Sequence, residues 1–186
     1  TDATCFQGCD GTATAEALVG TVPPLSYSWN TTPVQTTATA TGLCAGTYNV
    51  SVTDNTGCVG TATVIITEPA ELEVTAATSA AAICLGGSAD LTATPSGGAL
   101  TNPTYAWTAT PADLSLNPVA QNPTVTPLVN TVYEVTLTDD NGCTATDQLS
   151  VDISSALTVV GTLDQVSNCG QPDGVVSATA SGGTVA

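Results

Sequence analysis

Short segments of the chain alternate apolar and polar residues with a period of two. In the segment 48–53 the apolar residues Tyr48, Val50 and Val52 alternate with polar ones, and the segment 148–153 repeats the pattern. Successive side chains of a β-strand point to opposite faces, so each such strand would bury one face. The sequence has no segment with the 3.6-residue period of an amphipathic helix. The pattern therefore predicts an all-β chain built of antiparallel sheets.

The predicted strands recur along the chain in the same order. The stretch YNVSVTDNTGC begins at Tyr48 and YEVTLTDDNGC begins at Tyr133, which is a step of 85 residues. A Tyr-x-Trp stretch lies upstream of each, at 27–29 and at 105–107. Recurrence of several motifs in one order is typical of tandem copies of one small domain. With about seven short strands per unit, the pattern predicts tandem immunoglobulin-like antiparallel β-sandwiches in an extended array.

Three units follow from this repeat. We predict a first β-sandwich over residues 1–69, a second over 70–154, and the start of an incomplete third over 155–186. The third unit contains NCGQPDGVVSATA, which copies CFQGCDGTATAEA of the first. We expect roughly one strand in this third unit, which is too little to fold alone. We therefore expect further repeats of a longer chain, or a last strand that completes a sheet of a neighbouring copy.

The charge of the chain excludes several kinds of partner. The sequence has 16 acidic residues and no Lys, Arg or His, so its formal net charge is −16. Nucleic acid and anionic membrane surfaces would be repelled by such a chain. No apolar run approaches the roughly 18 residues of a membrane span. We expect no nucleic-acid partner and no direct membrane insertion.

The same composition argues against catalysis. Without His the chain cannot assemble a Ser/His/Asp or Cys/His group for nucleophilic attack. A pair of carboxylates, as in glycoside hydrolases, is the chemistry that remains. Acids scattered over short strands are more often solvated surface, however. We predict a protein that is not an enzyme, with a carboxylate-pair hydrolase as the least favoured interpretation.

Seven cysteines without C-x2-C pairs favour disulfides in an oxidising compartment over a zinc site. We expect the first strand of each sandwich to start at the pole where the last hairpin turns. A bridge there would close a loop of about 55 to 60 residues and contribute on the order of 4 kcal/mol. Cys169 would then pair with a residue outside the chain. The predicted bridges are Cys5 with Cys58, Cys84 with Cys143, and Cys9 with Cys44.

The turn before Cys143 is acidic, and the sequence leaves two interpretations of it open. Asp139, Asp140 and Asn141 stand ahead of a glycine, as in ordinary tight turns. Their oxygens are also ligands that calcium prefers. The predicted geometry brings the turn towards the joint between the units, which carries acidic side chains. Either the acids shape the turn, or they share a calcium ion with that joint, and the candidate ligands are Asp139, Asp140, Asn141, Glu68 and Glu71.

The two tryptophans also allow two interpretations. Trp29 and Trp107 could form sugar-stacking platforms, which would make the chain a carbohydrate-binding module. A single Trp on the second strand of a sandwich more often packs in the core. We therefore expect both indole rings to be buried.

Specific stretches of the chain resemble known bacterial repeats. The residues CDGTATA, PPLSYSWNTTP and LCAGTYNVSVTDNTGCVGTATVIITEP resemble the SprB-type repeat of very large surface adhesins of gliding bacteria that use type IX secretion. The residues ICLGGSADLTATPSGG, YAWTATP and TVYEVTLTDDNGC are similar to the related PKD-like, immunoglobulin-like domain of the same proteins. Val22 to Leu25 depart from the more usual Gly-rich GGTPPY entry, and Cys9 with Cys44 is an addition.

The resemblance implies a secreted, extracellular protein attached to the cell surface. Its repeats would form a stalk or filament that carries adhesive tips or itself binds surfaces and polysaccharides. Its implied partners are further repeats of the same chain, neighbouring copies in a filament, and surface polysaccharide. An acidic coat would keep such stalks soluble and apart. A carbohydrate-binding module of a secreted multidomain protein is the alternative.

Overall fold

The computed structural model describes residues 1–17, 20–154, 157–166, 169–170 and 174–182, where all regular elements are β-strands. The first repeat contains β1 (Gly11–Thr14), β2 (Ser26–Trp29), β3 (Thr39–Leu43), β4 (Gly46–Thr53) and β5 (Val59–Ile66). The second contains β6 (Glu73–Thr78), β7 (Ala82–Cys84), β8 (Ala89–Ser96), β9 (Thr104–Thr110), β10 (Thr124–Val125), β11 (Thr131–Thr138) and β12 (Thr144–Ser154). Two more strands follow, β13 (Thr158–Gln165) and β14 (Val175–Ser181). Among the described residues, no helix is long and apolar enough to cross a membrane.

Two small antiparallel sheets make up the first repeat. β1 pairs with β3, and β4 lies between β2 and β5. Trp29 stands opposite Val50 in the second of these sheets, and both side chains are buried. Tyr48 and Val52 pack half-buried against the core, in line with the predicted alternation. The core residues are Ala13, Trp29, Ala40, Leu43, Val50 and Ile66.

The second repeat has the strand order of an immunoglobulin domain. One sheet has the order β10-β8-β6 and the other β7-β12-β11-β9. In the immunoglobulin convention the first is E-B-A, and the second contains G-F-C. β7 continues the first strand but pairs parallel to β12, with Ile83 opposite Ile153. The start of the domain therefore contributes to both sheets.

Strands of the second repeat bury one face each. In β11 the buried residues Tyr133, Val135 and Leu137 alternate with residues that are exposed or half-buried. Leu91 of β8 and Trp107 of β9 are buried as well. Together with the sheet orders and the disulfides described below, these strands confirm the predicted all-β, immunoglobulin-like fold class with antiparallel sheets.

Contacts between Cα atoms divide the chain into two compact units that do not coincide with the predicted repeats. Unit 1 comprises Thr1–Glu73, Pro95–Pro103 and Leu137–Ala145. Unit 2 comprises the remaining segments, Val74–Thr94, Thr104–Thr136 and Thr146–Ala186. Unit 1 thus holds the first repeat together with two turns of the second. The predicted boundaries after residues 69 and 154 stay a prediction.

β13 and β14 form an antiparallel hairpin in the predicted third unit. Thr162 stands opposite Ser177, and their hydroxyl oxygens lie 2.7 Å apart. Every residue of the two strands is exposed, including Val159 and Leu163. Within the described part of the chain, this hairpin therefore has no buried face.

Candidate functional site: the acidic cysteine turns

The turn between β11 and β12 is organised by one buried carboxylate. Asp139 is 5% exposed, and its Oδ1 accepts hydrogen bonds from the backbone N–H groups of Asn141 and Cys143, both at 2.9 Å. Its Oδ2 accepts the N–H of Ala99 at 2.9 Å. Burial alone would raise the pKa of Asp139, but the backbone N–H donors outweigh it and hold the pKa below its ordinary value. The carboxylate therefore fixes both the turn and the loop that contains Ala99.

The turn between β4 and β5 repeats this geometry. Oδ1 of Asp54 accepts the backbone N–H groups of Thr56 at 2.8 Å and Cys58 at 3.0 Å. The N–H of Asp54 in turn donates to the carbonyl of Cys58 at 3.0 Å, as that of Asp139 does to the carbonyl of Cys143. The hydroxyl of Thr56 is the largest cause of the lowered pKa of Asp54. Each acidic turn thus holds its cysteine through the same set of bonds.

A glycine with positive φ precedes each of these cysteines. Gly57 has φ 86° and Gly142 has φ 85°. This backbone region is strained for residues that carry a Cβ, so the Gly in both sequence motifs is required by the turn. The tight-turn interpretation of the motif accounts for the glycine as well as for the aspartate.

The other candidate calcium ligands also have partners on the backbone. Oδ2 of Asp140 accepts the N–H groups of Thr101 at 2.8 Å and Asn102 at 3.0 Å. Oε2 of Glu68 accepts the N–H of Gln7 at 2.6 Å. Glu71 is exposed, and the side-chain amide of Asn141 donates to the carbonyl of Thr4 at 3.0 Å. The described residues contain no group of three or more His, Cys, Asp or Glu side chains placed to hold a metal ion. Calcium binding stays a prediction.

The described residues contain two disulfides, and one of them differs from the prediction. Cys9 bonds Cys44 as predicted, with their Cα atoms 3.8 Å apart. Cys5 bonds Cys143, with a Cα–Cα distance of 5.8 Å, and these residues are 138 positions apart in the sequence. The predicted pairings of Cys5 with Cys58 and of Cys84 with Cys143 are therefore wrong. The remaining cysteines, Cys58, Cys84 and Cys169, are unpaired and exposed.

The parallel pairing of β7 and β12 explains the error. Cys84 stands opposite Ser154 at the carboxyl end of β12, whereas Cys143 immediately precedes the other end of that strand. β12 has 11 residues, and a rise of about 3.3 Å per residue separates the two cysteines by roughly 35 Å along the strand.

The first repeat has the same arrangement. The N–H of Ala3 donates to the carbonyl of Thr67 just beyond β5, while Cys58 immediately precedes that strand. Cys5 therefore lies beyond one end of β5 and Cys58 at the other. In both repeats the first-strand cysteine and the turn cysteine lie at opposite poles.

Both tryptophans belong to the core. Trp29 and Trp107 are each 2% exposed. The indole N–H of Trp29 donates to the carbonyl of Thr37 at 3.0 Å, and that of Trp107 has no partner among the described residues. The predicted burial of both rings is confirmed. Trp29 is also among the residues that line the open groove of the first repeat.

The first repeat also has an open groove. Its volume is about 660 Å³, and Leu25, Val52 and Val64 are among its apolar lining residues. In the described residues β1 pairs with one strand only, β3, whereas β8 of the second repeat pairs with a strand on each side, β10 and β6. Two acidic residues, Glu16 and Asp54, also line the groove, and Oδ1 of Asp54 is taken up by the N–H groups of its own turn.

Sequence reasoning missed one polar contact of the second repeat. The hydroxyl of the buried Tyr133 donates to Oδ2 of Asp113 at 2.6 Å. Asp113 also accepts the N–H of Ser115 at 2.9 Å. Burial and then the Asp113 carboxylate raise the pKa of Tyr133 well above its ordinary value. The pair anchors the long connection between β9 and β10, and the Asp-x-Ser pattern was its only sequence signal.

Comparisons with known proteins identify no family. No protein-family model matches the chain, and no curated protein matches it. Among solved structures, it is similar to three N-terminal domains of the outer capsid protein Hoc of bacteriophage RB49, with a TM-score of 0.48 and 20% identity over 97% of this chain and 67% of that one. It is also similar to eight N-terminal immunoglobulin domains of the Down syndrome cell adhesion molecule, with a TM-score of 0.39 and 14% identity over 88% of this chain and 27% of that one. Murine CEACAM1b gives a TM-score of 0.36 and 12% identity, with coverages of 74% and 89%. The chain spans less than half the length of the first Dscam structures that it matches.

Proposed function

We propose that this chain is a non-catalytic, extracellular repeat array that forms part of a stalk or filament of a cell-surface adhesin. The observation that carries the proposal is the Cys5–Cys143 bond. It joins the first-strand cysteine of one sequence repeat to the turn cysteine of the next. A covalent bond between successive repeats suits a protein that bears mechanical load.

The roles of the acidic side chains support a non-catalytic function. A carboxylate-pair hydrolase needs two carboxyl groups facing a shared cleft. Asp54 lines a groove together with Glu16, but it accepts backbone N–H groups of its turn, as Asp139 and Asp140 also accept backbone N–H groups. The pKa values of Asp54 and Asp139 are lowered, which disfavours the protonated form that a general acid requires.

The disulfides support an extracellular location. Disulfides form and persist in oxidising compartments and are rare in the cytosol. The net charge of −16 suits a fibre that stays soluble beside its neighbours. Attachment to the surface of a gliding bacterium, type IX secretion and contact with surface polysaccharide follow from the resemblance to SprB-type repeats, and they are part of the proposal on that ground.

Immunogold electron microscopy on intact cells that produce the protein tests this function. Antibodies raised against the folded chain are expected to label threads outside the cell without permeabilisation. Antibodies against a cytosolic protein of the same cells serve as the control and should label only permeabilised cells. Label that appears only after permeabilisation would contradict the proposal.

A further inference from the structure

β5 is an edge strand that lacks the usual protection against pairing with another chain. Among the described residues, β4 is the only strand paired with β5, in a ladder that runs from Val59 to Ile66 without a register shift. Natural edge strands are usually short or carry charges, prolines or bulges, because their unpaired N–H and C=O groups can take up a further strand. β5 is 8 residues long, contains no charged residue and no proline, and its first five residues are all exposed.

The equivalent strand of the second repeat is protected by an acidic side chain. Asp147 of β12 lies 85 positions after Ala62 of β5. Its Oδ2 accepts the N–H of Ala76 in β6, which belongs to the other sheet, at 2.8 Å. An inward-pointing charge of this kind is one way in which natural sheets prevent edge pairing. Ala62 supplies no such charge, so the first repeat lacks this protection.

The segment that begins each repeat leaves most of this edge free. β7 pairs only with residues 152–154 at the end of β12. Before β7 the chain lies at the other sheet, where the N–H of Ser79 donates to the carbonyl of Asp90 at 2.9 Å. In the first repeat the N–H of Ala3 likewise donates to the carbonyl of Thr67, just beyond β5. β6 pairs with β8, which corresponds to β1. The repeat pattern therefore places no strand along the rest of the β5 edge, whatever residues precede the first repeat.

The distribution of charge favours this edge for contact with a second copy. The formal net charge of the chain is −16, so two copies repel each other in most orientations. The three strands β2, β4 and β5 contain no acidic residue. Glu16 and Asp54 line the groove beside β5, so a weaker repulsion remains there. Two copies can therefore approach most closely along β5, and salt should strengthen the contact.

β5 is complementary to itself when two copies pair antiparallel. A twofold axis at Ala62 sets Val59 opposite Ile65 of the second copy and Thr61 opposite its Thr63. The side chains of Val59 and Ile65 are 63% and 66% exposed in the single chain. Cross-strand pairs of β-branched residues stabilise antiparallel strands. The pairing thus covers two exposed apolar side chains of each copy.

We propose that two copies of this chain pair through their β5 strands, antiparallel and about a twofold axis at Ala62, so that their three-stranded sheets join into one. An interface of this kind is isologous and closes at two copies. Its role is to hold neighbouring stalks side by side, and that role rests on the stalk function proposed above. The pairing itself is a property of the folded first repeat.

The test uses the whole chain with Ser in place of its three free cysteines, C58S, C84S and C169S, so that no covalent dimer forms. Sedimentation velocity over a range of protein concentrations measures self-association. We expect an equilibrium between monomer and dimer that shifts towards the dimer as sodium chloride is added, because salt screens the repulsion between the acidic copies. Hydrogen exchange measured by mass spectrometry locates the interface. Peptides that cover β5 should exchange more slowly at high protein concentration, whereas those that cover β12 should not change.

Substitutions at equivalent positions of the two repeats make the test specific. Thr61 of β5 and Thr146 of β12 are both exposed and lie 85 positions apart. T61D adds a charge to each of the two paired strands and should abolish the dimer, whereas T146D adds the same charge to the second repeat and should leave the dimer intact. A62D copies the protection that Asp147 gives to β12 and should also abolish the dimer. The tryptophan fluorescence of each variant shows whether the fold is kept.

Three results would overturn the pairing. The first is a monomer at every concentration of protein and salt. The second is a dimer that T61D and A62D leave intact, such as one formed through the exposed β13–β14 hairpin. The third is a dimer in which β5 exchanges as fast as in the monomer. None of these results bears on whether the protein is displayed outside the cell, so failure of the pairing and failure of the stalk function are separate outcomes.

Discussion

Removing the bond between Cys5 and Cys143 is expected to destabilise both repeats, whereas removing the bond between Cys9 and Cys44 should affect only the first. The Cys5–Cys143 bond spans 138 positions, and loop-closure entropy in the unfolded chain then gives it on the order of 5 kcal/mol. The Cys9–Cys44 bond spans 35 positions and is worth roughly 4 kcal/mol on the same basis. The two stabilisation energies are close. The two disulfides are therefore distinguished by which repeat loses stability when each is removed.

Each repeat has its own fluorescent reporter. Trp29 lies in the core of the first repeat and Trp107 in that of the second, and both are buried. The loop closed by Cys5 and Cys143 contains both indoles, whereas the loop closed by Cys9 and Cys44 contains only Trp29. Single-tryptophan backgrounds, W29F and W107F, therefore report on one repeat at a time.

Urea unfolding of these backgrounds measures the effect. Replacing Cys5 and Cys143 together with Ser should lower the unfolding midpoint reported by either indole. The matched pair of Ser substitutions at Cys9 and Cys44 should lower the midpoint reported by Trp29 and leave that of Trp107 in place. If loss of the Cys5–Cys143 bond leaves the Trp107 midpoint unchanged, the reasoning that this bond couples the repeats is refuted.

Three further substitutions test the turns and the buried contact. D139N keeps the shape but loses the charge that accepts three backbone N–H groups, so we expect a loss of about 2 kcal/mol in urea unfolding. Folding lowers the pKa of Asp139 from its ordinary 3.8. The carboxylate therefore stabilises the fold fully above pH 3.8, and this stabilisation disappears as the pH falls through the pKa of the folded state. The stability difference between wild type and D139N should shrink below pH 3.8. G142A places a Cβ at φ 85° and should cost about 1 kcal/mol by the same assay, whereas G60A, at a glycine outside that region, should not. Y133F removes the donor to the Asp113 carboxylate and should lower stability by about 1 to 2 kcal/mol in thermal unfolding.

The strands could be predicted because their signal is local. Alternation at Tyr48, Val50 and Val52 reflects one face packing on a core, and the same rule holds for β11. Burial of Trp29 and Trp107 follows from their place on the second strand of a sandwich. The fold class needed no information beyond these periodicities and the repeat.

Disulfide partners could not be predicted because they depend on the direction of a three-residue strand. β7 pairs parallel to β12, and this carries Cys84 to the pole opposite Cys143. The pairing also places Cys84 opposite Ser154, the last residue of β12. Nothing in the residues Ala82–Cys84 shows in which direction, or at which end of β12, they pair.

The role of Asp139 was half predictable. Its place ahead of an Asn-Gly pair indicated a tight turn. Its third acceptor contact, to the N–H of Ala99, depends on a loop 40 positions away in the sequence. The sequence shows an acidic side chain there but not that backbone donors of a distant loop surround it.

The central claim is that the acidic turn presents its cysteine to the neighbouring repeat rather than to the start of its own. Disulfide mapping of the oxidised protein, with a protease that cleaves at Asp and Glu under non-reducing conditions, tests it most directly. No Asp or Glu lies between Cys5 and Cys9, so one peptide contains both. The account predicts a cluster of three linked peptides, in which this peptide is bonded to the peptide of Cys143 and to that of Cys44. Peptides that link Cys5 to Cys58 and Cys84 to Cys143 would contradict it.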